Sequence, residues 1–333
     1  MRALVCLDPG PLATIQDRGR FGLQRFGVTP AGPMDRLGFE AAVALAGGTD
    51  HAIELTLMGG VWTVEGGPVR IAVAPAVSVR HGAQPIAPLT TVTLQPGERL
   101  TISGLPVRGY LAVEGGFDIA PVLGSRAQHL RSKLGWPGRA LAAGDRLPLA
   151  GPPPHPGERC LPPDAAALHD GAIRVVLGPQ DDHFTAAGIA TLLSATFQVT
   201  VEADRMGYRL DGPAVEHAGD YNLVSDGITI GSIQVPGNGR PIILLADRQS
   251  TGGYPKIATV IGPDLGLLAR KKPGDPVRFR AISLADAEGE AQRFATRLAR
   301  LADAVGPAGD SWDRSSERLL ALSLIDGVVS ASR

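Results

Sequence analysis

The sequence predicts a mainly β protein with few helices, and three observations carry that expectation. First, 43 glycines and 28 prolines punctuate the 333 residues every few positions, too often for long helices. Second, the intervals between them are short runs rich in Val, Ile, Leu and Thr. Third, a proline cluster, GPPPHPGERCLPP at 151–163, breaks the chain into two halves of similar character.

The apolar runs at 69–74, 91–94, 99–103, 173–177, 197–201 and 242–245 are of strand length and are bounded by turn residues. Close spacing of many such strands suggests barrels or sandwiches. Two helices are expected. One covers 35–46, with Asp35 as its cap and Gly47-Gly48 as its stop; the other covers 284–304, with Ser283 as its cap and Ala291, Phe294, Leu298 and Leu301 on one face. The proline cluster reads as a surface connector. The organisation is therefore a first unit at 1–150, a connector at 151–170, a second unit at 171–282, and a helix and tail at 283–333. Within the tail, 306–316 reads as a linker and LLALSLIDGVV (319–329) as a strand.

The halves share a pattern. In each, an apolar strand runs into a Gly-Gly turn (Gly115-Gly116, Gly252-Gly253), and a Gly-Asp turn (Gly144-Asp145, Gly274-Asp275) precedes a last strand. A duplication would pack two similar barrels side by side, with a cleft between them as the natural ligand site.

Composition excludes several classes. The formal net charge is -1 and no basic stripe with interleaved aromatics occurs, which argues against nucleic acid. Asp8, Pro9 and Gly10 interrupt the N-terminal run that a signal peptide would need, and no apolar stretch approaches the ~20 residues that span a bilayer. A cytoplasmic protein without membrane contact is expected. Cys6 and Cys160 read as free thiols, and the seven scattered histidines offer no metal-ligand spacing. Walker A, G-x-S-x-G, H-E-x-x-H and C-x-x-C signatures are absent.

The richest polar segment is 225–256, SDGITIGSIQVPGNGRPIILLADRQSTGGYPK. Its glycines let the backbone turn sharply, and between them stand Asp226, Gln234, Asp247, Arg248, Gln249, Thr251, Tyr254 and Lys256. Carboxylates, carboxamides and a lysine at neighbouring strand ends would form a cup for an amide-like substrate; hairpin turns with solvated rims are the plainer alternative. A second segment, TIQDRGRFGLQRFGVTPAGPMD at 14–35, carries Gln16, Asp17, Arg18 and Arg20, where an arginine pairs either with a substrate carboxylate or with Asp17. In a third, EADRMGYRLDG at 202–212, the even spacing of Arg205 and Arg209 would place them on one strand face, to bind an anion or to flank a barrel strand.

The motifs QDRGRFG…GVTPAGPMD, GGFDIAPVLGSR, DRMGYRLDG, SDGITIGSIQVP and DRQSTGGYPK resemble, in that order, the biotin-dependent carboxyltransferase family, also called allophanate hydrolase subunit 2. That family takes in the C-type subunit of 5-oxoprolinase and the carboxyltransferase domain of urea carboxylase. The resemblance runs from about residue 12 to about residue 279. Leu23, Thr29, His129, Trp136 and Ser250 depart from the family pattern.

The resemblance implies two cyclophilin-like β-barrel subdomains and a site near the interface with a cyclophilin-like B-type partner. It implies a further, A-type partner that completes an ATP-dependent enzyme opening 5-oxoproline to glutamate. No cofactor is implied within this chain: ATP is used by the complex, and any carboxybiotin would arrive on another chain, since no Met-Lys-Met motif is present. On this basis Lys256 and Tyr254 are expected to donate to an oxyanion, with Asp226 or Asp247 accepting an amide N–H. Gln234, Gln249 and Thr251 would orient the amide. Gln16, Asp17 and Arg20 would line the opposite wall, Arg20 meeting a substrate carboxylate, with Arg205 a further binding residue. Two rival readings are a carboxyltransferase for urea- or guanidine-like substrates and a regulatory binding protein without turnover.

Overall fold

The computed structural model describes residues 1–309, so the strand expected at 319–329 lies outside the described residues. Among the described residues the chain is mainly β, with four α-helices. In the first unit, Arg146–Pro148, Ala3–Asp8, Gly60–Glu65, Arg99–Ser103, Ser78–His81 and Gln84–Ile86 form one antiparallel sheet. Leu12–Asp17, His51–Thr56, Arg108–Val113, Val69–Ala74 and Val92–Leu94 form a second. Leu4, Ile15, Ile53, Trp62, Val64, Leu100 and Leu111 fill the space between them.

The outer face of the second sheet is covered by helix α1, Arg36–Leu45. Ala52, Ala72, Ala74 and Ala112 on the strands leave room for Phe39, Ala42 and Leu45 of the helix to pack closely. That covering is why Val69–Ala74 and Arg108–Val113 are buried along their whole length, whereas Gly60–Glu65 alternates. Asp35 caps α1 as expected, its carboxylate accepting the Gly38 N–H at 3.0 Å.

The second unit is an eight-stranded sheet in the order Pro276–Val277, Phe197–Ala203, Gly207–Asp211, Ile242–Leu244, Ser232–Gln234, Lys256–Val260, Ile173–Leu177, Phe279–Ala281. Its two ends are consecutive in sequence. Pro276–Val277 pairs with Phe197–Ala203 on one side, and Phe279–Ala281 pairs in parallel with Ile173–Leu177 on the other. Only Arg278 separates the two, so one short segment nearly closes the barrel. Helices α2 (Ala186–Ser194, capped by Thr185) and α3 (Leu265–Ala269) complete the unit.

The two Gly-Asp turns match bond for bond. Gly144 donates its N–H to the Cys6 carbonyl at 2.8 Å, and Gly274 donates to Val199 at 2.8 Å. Asp145 and Asp275 each accept, on a side-chain oxygen, the N–H three residues earlier, from Ala142 and Lys272. Both glycines sit at positive φ, 89° and 90°.

Residues 151–163 are clasped along the first unit rather than standing free. Glu158 accepts from Thr91 and Thr93, Arg159 pairs with Glu114, and Arg159–Cys160 bridges Gly306–Pro307. Helix α4 covers Leu284–Ala299 with Ser283 as its cap, and a 3-10 turn follows at Ala302–Ala304. Phe294, Leu298 and Leu301 of the expected face pack in the cluster that contains α1, while Ala291, expected on the same face, is exposed.

Candidate functional site

The two units are locked by a buried charge cluster. Arg205 stands in the turn between Phe197–Ala203 and Gly207–Asp211, not on a strand, so it does not share a face with the exposed Arg209. Its guanidinium donates twice to Asp247, at 2.9 and 2.8 Å, once to Glu54 at 2.6 Å and once to the Gly32 carbonyl at 2.8 Å. Glu54 comes from the first unit and also accepts from Met34 N–H and the Tyr110 hydroxyl, each at 2.8 Å. Burial alone would lower the Arg205 pKa, but Asp247 and Glu54 outweigh it and raise the guanidinium pKa. Burial alone would raise the Glu54 pKa; Arg205 and Arg108 hold it low instead. Asp247 and Arg205 are therefore committed to each other and not open to a ligand.

Beside this lock lies an open cavity of about 500 Å³. Gln234, Gln249 and Tyr254 line it from the second unit, together with Ile242 and Leu244. Gln234 is buried; its Nε2 donates to the Tyr254 carbonyl at 3.1 Å, which leaves Oε1 for the cavity. Gly252 allows this arrangement, because a Cβ there would stand 2.7 Å from Gln234 Nε2.

Lys256 is paired with Gln234 in the strand register. Its ammonium, almost wholly buried, donates to Asp226 at 2.9 Å, while the Asp226 side chain is 60% exposed. The bond from Lys256, followed by one from Gly227 N–H, holds the Asp226 carboxyl below the usual range. Gln180 fixes both partners. Its N–H donates to the Lys256 carbonyl and its Oε1 accepts from Lys256 N–H, each at 3.1 Å, while Nε2 reaches Asp226 at 3.4 Å. Thr251 is exposed on the two-residue strand opposite Gly227.

Gln16, Asp17 and Arg20 build a wall rather than lining it. Gln16 bridges Gly32 N–H and the Gln128 carbonyl, both at 3.1 Å. Asp17 accepts from Ser125 Oγ and Arg126 N–H. Arg20 is buried and donates to the carbonyls of Val122, Ser125 and Ala127, so it meets no substrate carboxylate. All three pin the loop at 122–128, and Arg131, a few residues on, reaches the cavity. Arg131 and Gln180 escaped the sequence reading, since HLRSKLG and GPQDDHF carry no spacing that marks a site. Arg248 is buried with only long contacts to two carbonyls and Gln24 Oε1, and burial pushes its pKa down to about 10. Among the described residues no His, Cys, Asp and Glu group could hold a metal ion, and no helix is long and apolar enough to cross a membrane.

The family model for the carboxyltransferase domain, subdomains A and B, matches residues 26–281. The chain belongs to the carboxyltransferase-domain family. Within it, the C-type subunit of 5-oxoprolinase from Haemophilus influenzae is 36% identical over 287 residues, covering 84% of this chain and 92% of that one. The Escherichia coli protein of the same name is 33% identical over 305 residues, covering 89% and 97%. Among solved structures, the Kluyveromyces lactis urea amidolyase aligns with a TM-score of 0.83 at 27% identity, over 90% of this chain but 20% of that one. TTHA0988 aligns with a TM-score of 0.75 at 32% identity, over 84% of this chain and 56% of that one. This carboxyltransferase-family chain thus spans nearly the full length of two relatives named as parts of a multi-subunit enzyme, and a fraction of larger chains.

Proposed function

We propose that the protein is the C-type subunit of an ATP-dependent 5-oxoprolinase, a cytoplasmic heteromeric hydrolase that converts 5-oxoproline to glutamate. The observation that carries this reading is the convergence of Gln234 and Tyr254 on one cavity, with Lys256 next to Gln234 in the strand register and its buried ammonium paired to the exposed Asp226 carboxylate. A lactam offers one N–H and one carbonyl. Gln234 Oε1 and Asp226 supply acceptors for the first; Tyr254 and Lys256 supply donors for the oxyanion that forms when water adds to the second. Gln249 orients the amide edge, and Thr251 flanks it.

The A-type and cyclophilin-like B-type partners complete the site, and the complex consumes ATP to drive cleavage of the ring C–N bond. The test is reconstitution of the three proteins, followed by ATP-dependent glutamate release from 5-oxoproline. Lys256→Ala and Asp226→Ala are each expected to lower that rate at least about 100-fold. Unchanged rates would remove both residues from the chemistry.

The alignment with the urea amidolyase over 90% of the chain favours one second reading. In it, the same amide cup receives a carboxyl group from carboxybiotin on another chain. A biotin carboxylase and carrier encoded beside this protein would mark that case.

A further inference from the structure

We propose that Arg131 is the specificity residue that selects a carboxylate-bearing lactam over a neutral amide. The cavity has four charged residues on its walls: Arg131, Arg209, Glu202 and Asp204. Arg209 is paired with Glu202 at 2.5 Å. Asp204 turns Oδ1 back to the N–H groups of Met206 and Gly207. Among the described residues Arg131 is the cavity cation that makes no ion pair and no side-chain hydrogen bond.

Its placement is built. Arg20, Asp17 and Gln16 engage residues 122–128 through buried or half-buried bonds, and His129 is tied to Ser132 at 2.9 Å. The backbone on both sides of Arg131 is therefore held, while its side chain stays exposed and free to meet a ligand. Arg131 also comes from the first unit, whereas Gln234 and Tyr254 line the same cavity from the second. A flat lactam held by its amide on one wall would offer a ring carboxylate to the other. A guanidinium grips a carboxylate through two parallel N–H···O bonds, which an unsubstituted amide lacks.

Arg131's role rests on the proposed lactam chemistry, and the experiment separates the two. Calorimetry on the purified full chain, and on the reconstituted complex, would compare 5-oxoproline with 2-pyrrolidinone, the same ring without the carboxylate. Wild-type protein is expected to bind 5-oxoproline at least 10-fold more tightly, and Arg131→Met to erase that preference. In the complex, Arg131→Met should raise KM for 5-oxoproline roughly 10- to 100-fold with little change in kcat, and Arg131→Lys should recover part of the loss. A preference that survives in Arg131→Met, or no preference in the wild type, overturns the role of Arg131. A wild-type complex that prefers 5-oxoproline but releases no glutamate overturns the reaction and leaves the anion subsite standing.

Discussion

Lys256 and Asp226 form an asymmetric pair: an ammonium 3% exposed meets, at 2.9 Å, a carboxylate that is 60% exposed. The cation is fixed by the strand it grows from, and the anion faces solvent. Acidification should undo the pair from the Asp226 side. The carboxylate's pKa is lowered by its partner, so the stabilisation is complete above the unfolded value of about 3.9 and is lost as the pH falls through the depressed native value. Glutamate release at pH 5 and above should therefore show no titration that disappears in Asp226→Asn. An acid limb in that range, abolished by Asp226→Asn, would contradict the depressed pKa.

Gln180 should matter through its neighbours. Gln180→Leu removes the contacts to Lys256 N–H and Asp226 but leaves the barrel core alone. A fall in kcat of about 10-fold is expected, with the unfolding midpoint little changed. Equal kcat in variant and wild type would show that the strand alone positions Lys256.

The cleft should be sensitive to one methyl group. Gly252→Ala puts a Cβ within 2.6 Å of Ile228 Cδ1 and 2.7 Å of Gln234 Nε2. Gln234 must turn or the hairpin must lift, so KM for 5-oxoproline should rise about 10-fold or more. A variant with wild-type KM would detach Gln234 from the amide.

Two buried arginines should respond to very different extents. Arg205→Met leaves Asp247 without a cation and Glu54 with only the more distant Arg108, at a cost of about 3–5 kcal/mol in denaturant unfolding. Arg248→Met removes a charge that no carboxylate balances, and should cost under about 1 kcal/mol. Replacing Arg205, Glu54 and Asp247 together by Met, Gln and Asn should recover most of the first loss. The Glu54 pKa is held low, so its stabilisation is present above about pH 4.3 and lost as the pH falls through the native value. Glu54→Gln should flatten the acid unfolding curve.

The strands were legible because each is a short apolar run ended by glycine or proline; 69–74, 99–103 and 173–177 coincide with observed strands. The caps at Asp35 and Ser283 were legible for a similar reason, since each bond spans three residues. Side chains whose partners lie far along the chain were not. Arg20 finds its carbonyls more than 100 residues away, and Arg205 finds Glu54 at a separation of 151. A charged residue that a distant loop has already engaged looks, in sequence, the same as one left for a substrate. Gln234, Tyr254 and Lys256 stand closer in sequence to some of their partners, with separations of 20 and 30 inside the one glycine-rich segment.

Residues 276–281 hold both margins of the second barrel. A nick or truncation inside that hexapeptide would not shorten the sheet by one strand. It would release two backbone edges at once, each with unsatisfied N–H and C=O groups ready to recruit a neighbouring molecule. Damage there should surface as aggregation of the whole unit, not as local fraying.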